Sequence, residues 1–396
     1  MAAVAGDWDG VIVICAGTDW DGVPCSEHQL AERLAAHAPV LYVDPPVTPL
    51  SRWRRGELRR GPTQSRLQLV REGLARLTPV VPPGLHRIGL DVVSNRLVRR
   101  ALRRTVVGLG ARVRAAVMAS QNDYFGACHE QLRVVYVTDD WEAGSSLMGV
   151  GVRRLRRNER RLASHGQIVV TVSEPLSEKW RALGPEPVLL PNGCAAEFLG
   201  NSDEAPLPDD VVLPGPIVGF VGHLSDRIDM RLLEAVAGTG RSMLLVGPRQ
   251  PMFEPQRFDR LVGRPNVTWV GPKPFDQLRS YLRIIDVGIT PYADSAFNRA
   301  SFPLKTLDYL AAGRAVVSTD LPSVRWLGTD LITVADRPAD FVRAVVRSLT
   351  EQRTQELVAR RLTLAGQHSW TSRAAEFARI LEISSQLGQV DTALAR

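Results

Sequence analysis

The second half of the chain alternates short apolar strands with helices, and this order constrains the fold more than any other feature. Strands are predicted at Ile217–Val221, Ser242–Val246, Asn266–Val270, Asp286–Thr290 and Ala315–Thr319. Helices are predicted between them, beginning near Asp229, Gln256, Phe275 and Pro303. Strands that alternate with helices in this way form a parallel sheet covered by helices. We therefore expect an α/β protein with a doubly wound sheet in this half.

The first half of the chain has a similar but less regular order. Strands are predicted at Val11–Ala16, Val40–Asp44, Arg133–Thr138, Gln167–Ser173 and Pro187–Asn192. The segment GNSDEAPLPDDVVLPGP, residues 200–216, is rich in Pro and Asp and is typical of an interdomain linker. These boundaries predict a first domain at residues 1–205, a second at 206–368 and a C-terminal helical segment at 369–396.

Composition excludes several classes of protein. The chain has 396 residues, of which 44% are hydrophobic and 23% charged, as in ordinary globular proteins. It contains no run of about 18 apolar residues, and its first apolar run, Val11–Ala16, has the length of a strand, so neither a membrane span nor a signal peptide is expected. The four cysteines have no metal-ligand spacing, which favours reduced thiols in the cytoplasm. Arginine-rich composition favours a bacterial source.

The segment from Asn298 to Asp320 is the strongest candidate for a binding site. It predicts a loop, a helix, a glycine turn and a strand, with Ser301 as the helix cap and Gly313 as its end. Lys305 and Asp308 lie three residues apart on one helix face. A cation in the first turn and an acid one turn later could hold a phosphate and the hydroxyls of a neighbouring sugar. The amides at the helix N-terminus would add roughly 0.3–1 kcal/mol.

This segment resembles the donor-binding helix of GT-B-fold glycosyltransferases of the family 4 type. The triplet Pro303-Leu304-Lys305, followed by an acid and the run Tyr-Leu-Ala-Ala-Gly, resembles a bacterial subgroup that makes surface polysaccharides such as teichuronic acid. The resemblance implies two Rossmann-like domains that face a cleft, and a C-terminal helix that crosses back to the first domain. It implies that Asp308 binds the nucleotide ribose. The position of the family's first acid, which contacts the donor sugar, holds Ala300.

The resemblance extends to other expected donor-binding residues. Gly222, His223 and Arg227 follow the strand Ile217–Val221 and match a glycine-plus-basic segment that reaches the donor phosphates. Lys273 follows the third strand of that half, where the nucleobase usually lies. In the first half, a strand, a loop with Gly22 and a helix allow backbone amides to approach a diphosphate. The expected donor-binding set is Gly22, Gly222, His223, Arg227, Lys273, Asn298, Ser301, Phe302, Pro303, Leu304, Lys305 and Asp308.

Asp139 and Asp140 are the catalytic candidates. They follow the strand Arg133–Thr138, and open α/β sheets place their chemistry at the carboxyl ends of strands. The alternative is that they cap a turn before the next helix. A metal site in the triplet Asp19-Trp20-Asp21 is disfavoured, because carboxylates on a loop are usually solvated.

Three stretches are strongly basic: SRWRRGELRR at residues 51–60, Arg96–Arg104 and RRLRRNERR at residues 153–161. In the second, Arg96, Arg99, Arg100, Arg103 and Arg104 share one helical face, and Leu97, Val98, Ala101, Leu102 and Thr105 take the opposite face. Solvated helix surfaces explain such clusters, and so does an anionic membrane surface. Nucleic acid is a weaker alternative, because no recognised motif or interleaved aromatic residue accompanies the charges.

These features predict a glycosyltransferase that moves a sugar from a nucleotide-diphosphate sugar to a saccharide, lipid-linked or small-molecule acceptor. The resemblance implies retention at the anomeric carbon. The nucleotide sugar is a co-substrate, no metal or other cofactor is expected, and the expected location is the cytoplasm or the inner face of the cell membrane. A nucleotide-sugar epimerase of the same fold and a non-catalytic nucleotide-sugar-binding protein are the alternatives. A dinucleotide oxidoreductase is disfavoured, because no strand runs into GxGxxG.

Overall fold

The computed structural model describes residues 6–48, 64–83, 90–200 and 202–394. The basic stretch at residues 51–60 lies outside these ranges. Contacts divide the chain into two compact units. The first comprises Met1–Val172, Leu176–Leu190 and Arg373–Arg396, and the second comprises Ser173–Pro175 and Pro191–Ser372.

The boundary between the units therefore lies before the expected linker. Residues 191–205 belong to the second unit because their apolar side chains pack into it: Phe198 is 1% exposed and Ala205 is 4% exposed. Two short 3-10 helices, Ala196–Phe198 and Ser202–Glu204, lie in this stretch.

The first unit is built on one sheet of eight strands. Its strands are β1 (Val11–Cys15), β2 (Val40–Val43), β3 (Arg66–Arg71), β4 (Leu74–Thr78), β5 (Val113–Met118), β6 (Leu132–Val137), β7 (Ile168–Thr171) and β8 (Val188–Leu189). Their order is β3-β4-β2-β1-β5-β6-β7-β8, and every neighbouring pair is parallel except β3 with β4. The sequence did not predict β3, β4 and β5.

Five helices accompany this sheet in the first half of the described chain. They are α1 (Ser26–Leu34), α2 (Leu90–Gly108), α3 (Ser145–Met148), α4 (Val152–His165) and α5 (Glu174–Arg181). The central strands β1 and β2 are buried along their whole length, as expected for parallel strands covered on both faces.

The second unit contains a six-stranded parallel sheet. Its strands are β9 (Ile217–Val221), β10 (Ser242–Val246), β11 (Val267–Trp269), β12 (Val287–Thr290), β13 (Ala315–Ser318) and β14 (Ile332–Val334), in the order β11-β10-β9-β12-β13-β14. The α/β class and the strand–helix alternation expected for this half are confirmed. The sequence did not predict β14.

Nine helices follow in this part of the described chain. They are α6 (Met230–Ala237), α7 (Pro255–Val262), α8 (Leu278–Ile284), α9 (Ala296–Ala300), α10 (Leu304–Ala311), α11 (Pro322–Leu327), α12 (Pro338–Thr350), α13 (Gln355–Gln367) and α14 (Trp370–Leu394). A 3-10 turn, Phe275–Gln277, precedes α8. From Arg373 onward α14 belongs to the first unit. Within the described ranges, no helix is both long and apolar enough to cross a membrane.

Each sheet has one point at which the strand order reverses. In the first sheet it lies between β1 and β5, and in the second between β9 and β12. Open α/β sheets bind ligands beyond the carboxyl ends of the strands at such a point. The loops after β1, β5, β9 and β12 are therefore the places to search for a site.

Helix α10 packs against the second sheet at Gly288 of β12, a residue without a side chain. A Cβ on Gly288 of β12 would lie 2.3 Å from Cγ of the Tyr309 ring. The Tyr309 hydroxyl accepts a hydrogen bond from the amide of Val221, the last residue of β9, at 2.8 Å. Glycine at 288 thus lets α10 approach the sheet closely enough for this bond.

We predict that Gly288→Ala destabilises the protein by about 1–3 kcal/mol, because the new methyl group overlaps a fully buried ring. Chemical denaturation measures the change. Gly366→Ala is the matched control, since nothing lies within 4 Å of its added Cβ and alanine suits a helix better than glycine. Equal stability of the two variants would contradict the close packing of Tyr309 on β12.

The buried His28 of α1 is expected to make the folded protein less stable in acid. Its ring is buried against Trp20, with ring centroids 3.9 Å apart, and neither ring nitrogen has a hydrogen-bond partner. Burial, together with nearby Arg33 and Arg76, lowers the pKa of His28 to about 4. Below the ordinary pKa of histidine, His28 is protonated in the unfolded chain but stays neutral in the folded protein. The free energy of unfolding therefore falls as the pH falls from about 6.5 towards 4.

We expect His28 to lower the free energy of unfolding by about 2 kcal/mol as the pH falls from about 7.5 to 5. His28→Phe keeps the aromatic packing without a titrating group, so its free energy of unfolding should fall less over the same range. Urea denaturation at both pH values measures the difference. An identical fall in the two proteins would show that His28 does not cause the acid sensitivity.

Candidate functional site

The loops after β9 and β12 are joined at the reversal point of the second sheet. Ile228 and Tyr292 form an isolated antiparallel bridge. The Asp229 amide donates to the Pro291 carbonyl, and the Ala293 amide donates to the Arg227 carbonyl, both at 2.8 Å. The backbone that carries Arg227 is therefore fixed.

The Arg227 guanidinium is held by neutral groups only. Its Nε donates to Asn298 Oδ1 at 3.0 Å, and one terminal nitrogen donates to Ser301 Oγ at 3.1 Å. It also lies 5.4 Å from the ring centroid of Tyr292 and 5.0 Å from that of Phe297. No carboxylate in the described part of the chain forms an ion pair with it. An oriented positive charge without a counter-charge is suited to bind an anion.

Asn298 and Ser301 position this arginine and are themselves buried. Asn298 is 0% exposed, and its Nδ2 donates to the carbonyls of Arg227 and Ala293, each at 2.8 Å. Ser301 donates to the Asn298 carbonyl at 2.9 Å. The expected cap is wrong: Ser301 ends the short helix α9, and Pro303 occupies the N-cap position of α10 without a side-chain bond. Asn298 and Ser301 were expected to contact a ligand. Because both side chains are buried, they are better placed to hold the Arg227 side chain in position.

Lys305 and Asp308 of α10 are in direct contact. Lys305 Nζ lies 3.1 Å from Asp308 Oδ2, and the Ala195 amide lies 3.5 Å from Asp308 Oδ1. The Asp308 side chain is 8% exposed. Burial raises the pKa of Asp308, although Lys305 and its hydrogen bond work against this. The pair could therefore offer a cation and a hydrogen-bond acceptor side by side.

A small pocket adjoins this pair. Its empty space, about 180 Å³ with open solvent included, leaves no room for a water molecule. It is lined by Lys305, Asp308 and a mostly apolar group: Phe198, Val221, Leu278, Leu282 and Tyr309. The sequence did not identify Phe198, Leu278 or Leu282, since they come from separate parts of the chain. Tyr292, two residues after the end of β12, could have been found from the rule that ligands lie beyond strand ends.

Backbones after β9, β10 and β11 lie in close contact at the same edge. The Gly222 amide donates to the Val246 carbonyl, and the Gly247 amide donates to the Gly271 carbonyl, both at 2.8 Å. Gly247 has φ +135°, and a Cβ there would lie 2.0 Å from the Gly222 carbonyl oxygen. Next to Gly222, His223 is exposed, and partial desolvation together with Arg227 lowers its pKa.

Three other expected donor residues have different surroundings. Phe302 is 4% exposed and packs edge-on against Trp326 with ring centroids 5.7 Å apart, so its ring is part of the core. Leu304 is half-buried in the first turn of α10. Lys273 pairs with Asp210 and lies 5.5 Å from the ring centroid of Tyr281.

In the first unit, the Asp140 side chain bonds to neighbouring groups of the protein. Its Oδ1 accepts from Lys179 Nζ at 2.7 Å and from the Ala143 amide at 3.0 Å, and Lys179 also donates to Glu159 at 2.9 Å. These contacts fit the turn-capping alternative for Asp140. Asp139 is half-buried, with its Oδ2 3.5 Å from Thr138 Oγ1.

The loop that contains Gly22 uses its amides internally. Gly17 and Thr18 both donate to Glu27 Oε1, at 3.2 and 3.1 Å, and the Gly22 amide donates to the Asp19 carbonyl at 3.1 Å. These amides are therefore not directed at a ligand, which argues against the expected role of Gly22 at a diphosphate. Within the described ranges, no three His, Cys, Asp or Glu side chains are grouped so that they could hold a metal ion.

Comparison with known proteins gives matches for both sequence and fold. Residues 215–351 match the family model described as Glycosyl transferases group 1. The chain is 31% identical over 187 residues to a putative teichuronic acid biosynthesis glycosyltransferase, TuaH, of Bacillus subtilis (strain 168). That alignment covers 45% of this chain and 46% of the relative, so it spans about half of each.

Solved structures match over nearly the whole chain. Sucrose-phosphate synthase from Thermosynechococcus elongatus superposes with a TM-score of 0.73 at 15% identity, covering 97% of this chain and all (100%) of that one. Anabaena Alr3699/HepE, solved in complex with UDP-glucose, superposes with a TM-score of 0.66 at 12% identity, covering 94% of this chain and 99% of that one. These likenesses show the GT-B fold. In sequence, the chain is similar to the group 1 glycosyl transferases over residues 215–351, and it spans about half the length of the curated relative that it matches.

Proposed function

We propose that this protein transfers a sugar from a nucleotide-diphosphate sugar to a saccharide, lipid-linked or small-molecule acceptor, with retention of the anomeric configuration. One observation carries the proposal: Arg227, which forms no ion pair with any described carboxylate, lies at the reversal point of the sheet that matches the glycosyl transferases group 1 model. Lys305 and Asp308, beside a pocket in the same unit, complete a donor site.

Each of these side chains has a defined task in the proposed reaction. Negative charge grows on the nucleoside diphosphate as the anomeric bond breaks, and cations already oriented towards it lower the barrier. Arg227 needs little reorganisation, because Asn298 and Ser301 already hold its guanidinium. Residues three apart on a helix have Cβ atoms about 5–6 Å apart. A diphosphate and its ribose are neighbours on this scale, so Lys305 binds the former and Asp308 the latter.

The acceptor side of the reaction belongs to the first unit in this proposal. Asp139 follows β6 at the carboxyl edge of the first sheet, where it could act on an acceptor hydroxyl. A lipid-linked acceptor would bring the enzyme to the inner face of the cell membrane.

Donor binding is the first test. A thermal-shift screen with UDP-, GDP-, dTDP- and ADP-sugars should raise the melting temperature for one nucleotide class, because a ligand that binds only the folded state stabilises it. Product analysis then separates the enzyme classes. A transferase releases nucleoside diphosphate quickly only when an acceptor is present, whereas an epimerase converts the nucleotide sugar without one. No shift with any donor would overturn the proposal.

We predict that Lys305 and Asp308 affect different parts of the donor. Lys305→Ala should strongly weaken the binding of a nucleoside diphosphate and hardly change the binding of the free nucleoside, because only the diphosphate carries phosphate charge. Asp308→Ala should weaken the binding of both ligands by roughly 1.5–3 kcal/mol, the value of a charge-assisted hydrogen bond, here to the ribose. Titration calorimetry measures both.

Asp330→Ala is the matched control for this pair of variants, because Asp330 forms an exposed ion pair with Arg360 in the same unit. It should leave binding unchanged, since exposed pairs contribute less than about 1 kcal/mol. Wild-type affinity for the diphosphate in both test variants would show that the donor does not bind at α10.

We predict that Asp139 and Asp140 differ in their effects. Asp139→Asn should abolish transfer and keep donor binding, which takes place in the second unit. Asp140→Asn should mainly lower stability, by about 1–3 kcal/mol, since it weakens the bond to the half-buried Lys179. Transfer rates, donor affinity and melting temperature distinguish the two. Full transfer activity in Asp139→Asn would remove Asp139 from the mechanism.

A further inference from the structure

Two helices of the first unit, α2 and α4, expose arginines that have no side-chain partner among the residues that the structure describes. We call these seven side chains the basic surface: Arg96, Arg100, Arg103 and Arg104 on α2, and Arg153, Arg157 and Arg160 on α4. Each is exposed, and none donates a side-chain hydrogen bond or forms an ion pair with any described residue. Other arginines of the same helices are engaged, so the lack of partners is specific to this set.

Asp123 contacts both helices. Arg99 of α2 donates to the Asp123 carbonyl at 3.5 Å and to the Phe125 carbonyl at 2.8 Å. From α4, His165 Nδ1 lies 2.7 Å from Asp123 Oδ2, and Arg161 Nε lies 3.4 Å from the same oxygen. Asp123 therefore connects the middle of α2 with the last turn of α4, and the arginines of both helices belong to neighbouring elements.

After Asp91 in the first turn of α2, no acidic side chain is exposed on the described parts of these two helices. Residues 92–108 contain no Asp or Glu. The one acid of α4, Glu159, is 2% exposed and is bonded to Lys179. Nothing on the described parts of either helix therefore offsets the positive field of the basic surface. A field of one sign attracts a partner of the opposite sign.

Apolar side chains are exposed among the arginines. On α2, Val92, Val93, Leu97 and Val107 are exposed, with Val107 at 74%, and Val152 is exposed at the start of α4. The expected packing face of α2 is thus partly wrong: Val98, Leu102 and Thr105 are buried, but Leu97 faces solvent. Aliphatic side chains next to arginines suit the boundary between lipid headgroups and acyl chains. Exposed aromatic side chains, on which nucleobases stack, are absent from the described side chains of both helices.

We propose that the basic surface docks the protein on an anionic lipid membrane, with arginines of both α2 and α4 contacting the headgroups. The inference rests on the proposed function only in that a lipid-linked acceptor gives the docking a purpose. The charges and the exposed aliphatic residues belong to the first unit and are independent of donor binding.

The test uses the full-length protein and vesicle flotation. Vesicles of phosphatidylcholine mixed with phosphatidylglycerol should bind it, vesicles of phosphatidylcholine alone should not, and binding should fall as salt rises. The double variants Arg100→Gln/Arg104→Gln on α2 and Arg157→Gln/Arg160→Gln on α4 should each weaken binding on the order of thirtyfold, as expected for two basic residues at a membrane surface.

Arg241→Gln/Arg264→Gln removes the same charge from exposed positions of the second unit and should change binding less than about twofold. Melting temperatures show whether each variant is folded. Equal binding to both kinds of vesicle, a loss in only one of the two surface variants, or an equal loss in the control would overturn the proposal. So would tighter binding of a duplex or single-stranded oligonucleotide than of anionic vesicles at the same salt concentration. Calorimetry with nucleoside diphosphates reports separately on the proposed function.

Discussion

The hydrogen bonds between Asn298 and Arg227 are the interaction on which the candidate site depends. Asn298 holds the backbone carbonyl of Arg227 with one side-chain atom and its guanidinium with the other. A carboxylate in its place would neutralise the charge that makes the arginine useful. A neutral amide orients the guanidinium and leaves its charge available, which is the arrangement that electrostatic catalysis requires.

A second constraint operates on the helix that carries Lys305 and Asp308. Helix α10 has only 8 residues and lacks a side-chain N-cap bond. An isolated helix of this length is not stable in water, so tertiary contacts must hold it. Tyr309 supplies the contact to β9, and the absence of a side chain on Gly288 makes room for it. The position of the Lys305–Asp308 pair is thus decided by the packing of Tyr309, which lies one turn along the helix from Lys305.

The sequence predicted the second unit better than the first for physical reasons. Strands β9 and β10 are fully buried and read as uninterrupted apolar runs. Strand β3 is mostly exposed, and arginines interrupt β3, β4 and β5, so their pattern was indistinct. Lys305 and Asp308 were predicted from their shared helix face and the family resemblance, and Arg227 from the family resemblance of the segment after β9. The support of Arg227 by Asn298 and Ser301 could not be predicted, since it depends on contacts between segments about 70 residues apart.

The loop after β1 has a consequence for selectivity in the first unit. The amides of Gly17 and Thr18 and the Thr18 hydroxyl all donate to one oxygen of Glu27. A phosphate that arrived there would have to displace a carboxylate tethered to the same chain. The donors of this loop are therefore already satisfied by a carboxylate of the same chain, so the loop after β1 differs from an anion-binding loop whose amides point outward.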